Sequence, residues 1–329
     1  MNTNHYLELK LKDQRIGFGD LVCSVGLSCF LVLFFSISAL AQGGASSAAK
    51  GEAFASPDAA VEALIAAAEK YDEPTLVQIL GPNSYDLIHT GEPVADRETV
   101  TGFAAQARAK KAISYEPKTR SRALLNIGDD NWPFPVPIVK VGNKWYFDTG
   151  AGREEILYRR IGRNEFDAID ICRGYVEAQH DYALEKHDGA LVNQYAQRLI
   201  STPGKHDGLA WQNADGTWGG TVGEAAAKEI ERTYTGTPAP YHGYYFKILK
   251  GQGAAAPLGK LDYMIKGAMI GGFALIAYPS IYKVTGVKTF MVSQDGVVYE
   301  KDLGPGTQQA ALSIELFNPD LTWNPVKDE

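Results

Sequence analysis

Residues 145–152 read Trp-Tyr-Phe-Asp-Thr-Gly-Ala-Gly. Three consecutive aromatics suit a strand, and the two glycines after them suit a turn. Beyond the glycines, "REEILYRRIG" (153–162) spaces its apolar residues as a helix does. The stretch also contains Asp148-Thr149-Gly150, the triplet on which aspartic proteases present a catalytic carboxylate. A protease dyad needs two carboxylates sharing a proton, and the chain has a single such triplet, so a dyad would require a homodimer. The downstream residues are also wrong for that loop, because Arg153-Glu154-Glu155 opens a charged helix rather than an apolar strand. Glu154 and Glu155 likewise satisfy the helix dipole and would repel a phosphate from a glycine loop here. The stretch is therefore expected to end a strand, with Asp148 or Thr149 capping the next helix.

Upstream, Ser56-Pro57 opens a helix with Val61, Leu64, Ile65 and Ala68 on one face. A second runs from about Glu73 to the Gly81-Pro82 stop, and Asp96 is expected to cap a third carrying Val100, Phe103, Ala104 and Ala107. Strands come next: "ALLNIG" (123–128), a turn at Asp129-Asp130-Asn131, and "VPIVKVGNKWYFDT" (136–149) as a hairpin with Gly142-Asn143 at its tip. Three helices leading into a small sheet suggest an abbreviated cone of the nuclear-transport-factor-2-like (NTF2-like) kind.

Downstream, a long helix is expected from Asn164, as N-cap, to about Lys186, with Phe166, Ile169, Cys172, Val176 and Tyr182 as its apolar stripe. Tyr195–Ile200 reads as a short helix that Thr202-Pro203-Gly204 breaks. Residues 203–242 are loop-rich apart from a surface helix at Glu224–Tyr234. The period then changes to two: 244–249, 271–279, 287–296 and 297–303 read as four successive antiparallel strands, with Asp295-Gly296 turning the last pair. A long helix ahead of a strand meander is the layout of a pilin head. No prepilin signature precedes it, so a filament subunit is not expected. The fold class is α+β: an abbreviated NTF2-like helical/sheet domain at 55–160, then a pilin-head-like domain at 161–329.

The N-terminus looks like an export signal. Lys10, Lys12 and Arg15 precede the apolar run Leu21–Leu40, which closes on Ala39-Leu40-Ala41. Cleavage would remove residues 1–41 and leave the small-residue linker 42–54, whereas an uncleaved segment would act as a membrane anchor. Cleavage also leaves Cys172 as the sole cysteine, with no internal disulfide and an apolar setting that suits a buried, inert thiol. A net charge of −7 argues against a nucleic-acid partner, whose phosphates require a basic face. With 45% apolar and 22% charged residues, the chain has the composition of a globular protein.

Several long stretches carry a family resemblance. "FASPDAAVEALIAAA" (54–68), "DDNWPFPVPIVKVGNKWYFDTGAGREEILYRRIGRNE" (129–165), "YAQRLISTPGKHDGLAW" (195–211), "YHGYYFKIL" (241–249) and the segments around 271–307 are among them. In these the chain resembles the bacterial exported-protein family of domain of unknown function 2950. The resemblance implies export and a periplasmic location, and it implies no catalytic residue.

No catalytic, cofactor or metal residue is assigned. His180 and His187, seven apart, could share a helix face near Glu177, yet no third zinc ligand is marked. His206-Asp207-Gly208 and Asn213–Thr217 lack the alternating ligands of a calcium loop and read as turns. Lys205 lacks the flanking residues of a phosphate loop, and no Gly-x-Ser-x-Gly elbow occurs. Rings gather beside turns at Trp132-Pro133-Phe134-Pro135 and Tyr241-His242-Gly243-Tyr244, so Trp132, Phe134, Tyr241, His242 and Tyr244 form the candidate binding surface. The expected role is non-catalytic binding or structure in the cell envelope, with an envelope protein as partner. The alternative is a periplasmic hydrolase with a pocket in the N-terminal domain.

Overall fold

The computed structural model describes residues 50–89, 93–223, 227 and 240–327. The expected signal segment 1–41 lies outside them, as does the helix at Glu224–Tyr234 except for Ala227, which is helical and buried. The fold is α+β, and the chain divides into two compact units between Ile156 and Leu157. Among the described residues no helix is long and apolar enough to cross a membrane.

In the first unit, helix α1 (Pro57–Lys70) starts where the sequence places it, with Ala59 N–H donating to Ser56 Oγ at 3.1 Å. Helix α2 (Glu73–Leu80) is capped by Asp72, whose carboxylate accepts from Thr75 N–H at 3.2 Å and Thr75 Oγ1–H at 2.8 Å. A single helical turn, α3 (Tyr85–Ile88), comes after it. Helix α4 (Pro93–Ala109) buries Val100, Phe103, Ala104 and Ala107 as the spacing predicts. Its start differs: Pro93 opens it, and Asp96 is a buried residue of the first turn rather than the cap. Proline's fixed φ suits the first helical position, and an acid in the first turn opposes the dipole.

The sheet of this unit contains β1 (Lys111–Tyr115), β2 (Arg122–Ile127), β3 (Trp132–Pro133), β4 (Ile138–Val141) and β5 (Lys144–Phe147). Its order is β1-β2-β4-β5, with β3 also on β2, and every pairing is antiparallel. Strand β1 is an addition to the sequence expectation, because its basic approach and sparse apolar residues resemble a helix's surface end. The final residues of the expected 42–54 linker belong to the fold. Phe54 is buried and exchanges two main-chain hydrogen bonds with Trp145, at 2.8 and 2.9 Å, closing the β5 edge. Phe134 fills the core beneath the sheet, 5.0 Å from Phe103 between ring centroids.

The run expected as two helices is one, α5 (Thr149–Tyr182). Asn164 does not start a helix. Its side-chain amide donates to Thr285 O at 2.8 Å, and this tertiary bond offsets its weak helical preference. The buried stripe runs through Ala168, Cys172, Tyr175, Gln179 and Tyr182 at alternating spacings of four and three. Phe166 falls about 200° around the helix from Ala168 and is 55% exposed, so it is not part of that stripe.

After α5 the expected helix at Tyr195–Ile200 is instead an approach to strand β6 (Arg198–Ile200), which pairs parallel with β7 (Gly208–Gln212). Strand β7 turns through Asn213–Thr217 into β8 (Trp218–Gly220). Then come β9 (Tyr244–Leu249) and the short pairs β10 (Gly251–Gln252) with β11 (Leu261–Asp262) and β12 (Met264–Ile265) with β13 (Ala268–Met269). Strands β14 (Ala274–Pro279), β15 (Lys288–Ser293) and β16 (Val298–Asp302), helix α6 (Thr307–Ser313) and β17 (Asn324–Pro325) complete the unit. The main sheet has the order β17-β16-β15-β14-β9. The four predicted strands are all in it and antiparallel. Central β14 is buried along its whole length, which accounts for its unbroken apolar run.

Candidate functional site: two imidazole–carboxylate pairs

Both candidate sites lie in the second unit, and each couples a histidine to an aspartate. The first is in the tight turn Tyr241-His242-Gly243-Tyr244, closed by reciprocal main-chain bonds between Tyr241 and Tyr244 at 2.8 and 2.9 Å. His242 and Gly243 both have positive φ, +48° and +74°, the conformation of a two-residue hairpin turn. His242 Nδ1 is 2.7 Å from Asp167 Oδ2 of α5, and the two side chains are 14% and 19% exposed. Nearby, Glu165 Oε1 accepts from Val287 N–H at 2.8 Å and Lys288 N–H at 3.0 Å. Gly243 lies against Asn164, where a Cβ would come within 2.5 Å of Nδ2. A short stretch of α5 thus pins the hairpin tip and the 285–288 segment by polar bonds. The carboxylate fixes the orientation of the imidazole and is itself committed to it.

The second site lies at the other end of α5. Past Tyr182 the chain turns at Asp188 and Gly189, with φ of +50° and +73°. Asp188 accepts from the His206 N–H at 2.7 Å, and its other carboxylate oxygen lies 2.7 Å from His206 Nδ1. The main-chain donor, and after it the imidazole, lowers the Asp188 pKa from its ordinary value. Asp207 is engaged by other donors, accepting from Thr202 N–H at 2.7 Å and Thr202 Oγ1–H at 2.8 Å. His187 stacks on Tyr182 with centroids 4.0 Å apart, while its Nε2 lies 2.9 Å from the Tyr182 carbonyl oxygen. Tyr182 in turn donates its hydroxyl to His206 O, and burial raises its pKa to about 12.

Trp211 of β7 completes this group, with its ring centroid 4.7 Å from His206 and 5.7 Å from His187. Opposite Trp211 stands Gly219, where a Cβ would come within 2.6 Å of Trp211 Nε1, so a residue without a side chain lets the indole lie against the hairpin. His187 and Trp211 are partly exposed and the His206 side chain is 44% exposed. The result is a polar aromatic surface whose supporting carboxylates already have donors.

The rings expected to form a binding surface are distributed otherwise. Phe134 and Tyr244 are fully buried and Tyr241 is 6% exposed, so three of the five are core residues. Trp132 and His242 are partly exposed. Rings beside turns are as serviceable for closing a core end as for binding, and position in the sequence does not separate the two uses. His187 does not share a helix face with His180, because α5 ends at Tyr182 and His187 folds back onto its last turn. His180 packs edge-on to Phe273 instead. Among the described residues no group of three His, Cys, Asp or Glu side chains could hold a metal ion.

Asp148 is the cap of α5, accepting from Ala151 N–H at 3.1 Å, while Thr149 Oγ1–H donates to Leu80 O. Cys172 is fully buried, and desolvation pushes its thiol up to about 12. Sequence reasoning missed Asp167, Asp188 and Trp211. Asp188-Gly189 carries a turn signal, but the bond from Asp188 to His206 spans 18 positions and leaves no local trace.

No curated protein and no solved structure matches the chain. The family model for proteins of unknown function DUF2950 does match, over residues 51–326, nearly the whole described chain. By that match the chain belongs to the DUF2950 family.

Proposed function

We propose that this chain is an exported, non-catalytic binding protein of the cell envelope. The observation that carries the reading is the partly exposed surface of His187, His206 and Trp211, held in place by Tyr182 and Asp188. Rings that are accessible yet fixed bind with little further loss of side-chain freedom. Asp188 and Asp207 are engaged by internal donors, which suits orientation of the surface better than proton transfer. Export rests on the apolar run 21–40 and its small-x-small close, which also supports a periplasmic location. The helices and five-stranded sheet of the first unit are consistent with an NTF2-like cone, and the long helix and meander of the second with a pilin-like head.

The test is affinity capture from envelope extracts with the wild-type chain and with Trp211→Ala and His206→Ala. The wild type is expected to retain a specific component that both variants release while keeping native circular dichroism. Equal retention by all three, or a reproducible hydrolytic activity lost on mutating a pocket of the first unit, would overturn the proposal.

A further inference from the structure

The sheet of the first unit has two differently finished edges. At β5, Phe54 occupies the edge through Trp145. At β1 the direction of the main-chain groups is fixed by the ends of the ladder. Gly128 N–H donates to Lys110 O at 3.0 Å, and Glu116 N–H donates to Arg122 O at 2.9 Å. Even-numbered residues of β1 therefore spend their main-chain bonds on β2, by the alternation of an antiparallel pair. Lys111, Ile113 and Tyr115 direct theirs outward, where no strand among the described residues pairs with them.

Open edges in natural proteins are usually blunted by proline, a bulge or a guarding lysine. Strand β1 contains neither proline nor bulge, and Lys111 Nζ is drawn 2.9 Å from Glu62 instead. Lys111, Ala112 and Ser114 are exposed.

We propose that this edge pairs with the same edge of a second copy of the chain, antiparallel, with Ile113 facing Ile113 across a twofold axis. The sequence is self-complementary in that register. Ile113 exchanges main-chain bonds with its symmetry mate, and Lys111 does so with Tyr115 of the second copy, twice by symmetry. Ala112 faces Ser114, two small residues that permit close approach. Lys110 faces Glu116 of the second copy, so opposite charges meet at both ends.

Neighbouring registers lose that match. A slide of two residues one way sets Lys110 against Lys118. The other way sets Lys110 against Ser114 and gives Glu116 to Arg108, which already binds Glu62 and Glu69. Within each copy Lys110 and Glu116 make exposed contacts, to Asp129 and Thr119 respectively, which they can exchange for each other.

Sedimentation equilibrium of the full chain, purified as its cells process it, tests the pairing. The expected mass is twice that of one chain. Ile113→Pro removes an outward N–H without touching the ladder to β2, and a monomer with native circular dichroism is expected. Lys110→Glu sets like charges opposite at both ends and is expected to weaken the dimer about tenfold. Adding Glu116→Lys reverses both charges and restores it, a result that does not depend on whether the proline variant folds. A wild-type monomer overturns the proposal, as does a dimer that neither Ile113→Pro nor Lys110→Glu disturbs.

Discussion

His242–Asp167 and His206–Asp188 have the same N–O separation, 2.7 Å, and opposite surroundings. The first pair is 14% and 19% exposed and ties a hairpin tip to α5, whereas the second is 44% and 37% exposed and sits beside two further partly exposed rings. An imidazole hydrogen-bonded to a carboxylate in a sheltered place acts mainly on stability, because breaking the pair leaves a polar group away from water without its partner. The same pair in solvent contributes little stability and instead holds a surface in one arrangement. Geometry within the pair does not separate these roles; its surroundings do.

The largest expected effect comes from overfilling the sheltered site. Gly243→Ala places a Cβ 2.5 Å from Asn164 Nδ2 at a φ of +74°, and should destabilise by about 3 kcal/mol in chemical denaturation. Asp167→Ala should cost about 2 kcal/mol, read in the same way, because His242 loses the carboxylate that orients it while staying mostly covered. His206→Ala should change stability by less than about 1 kcal/mol, although it touches an equally short pair. A loss at His206 as large as that at Asp167 would erase the distinction.

A smaller effect concerns acid. Asp188 has its folded pKa lowered from the ordinary 3.8, so it contributes stability above that value and loses it as pH falls through the folded one. The acid limb of the stability profile below about pH 4 should therefore be shallower in Asp188→Asn than in wild type. Urea titrations at successive pH values would show it, and an unchanged limb would mean that the bond to His206 is not maintained in solution.

How much of the molecule is legible in the sequence depends on the reach of each interaction. Ser56-Pro57, the Asp295-Gly296 turn and the four strands of the meander announce themselves within a few residues, and they are where local pattern puts them. The unity of α5 is hidden because Gly162 and Asn164 look like a break, and the bond that carries Asn164 through the helix comes from Thr285. Strand β1 is hidden because its stability comes from β2 rather than from its own composition. The same limit applies to the site. His206, His187 and Trp211 are visible one by one, but Asp188 and the face they share depend on chain returns that no local spacing records.

The most direct test is a two-dimensional NMR experiment on the histidine rings and the Trp211 indole, with the component captured from the envelope added stepwise. The signals of His187, His206 and Trp211 are expected to move while those of His242 stay in place. Movement at His242 with the Trp211 indole unchanged would contradict a binding surface at the second pair.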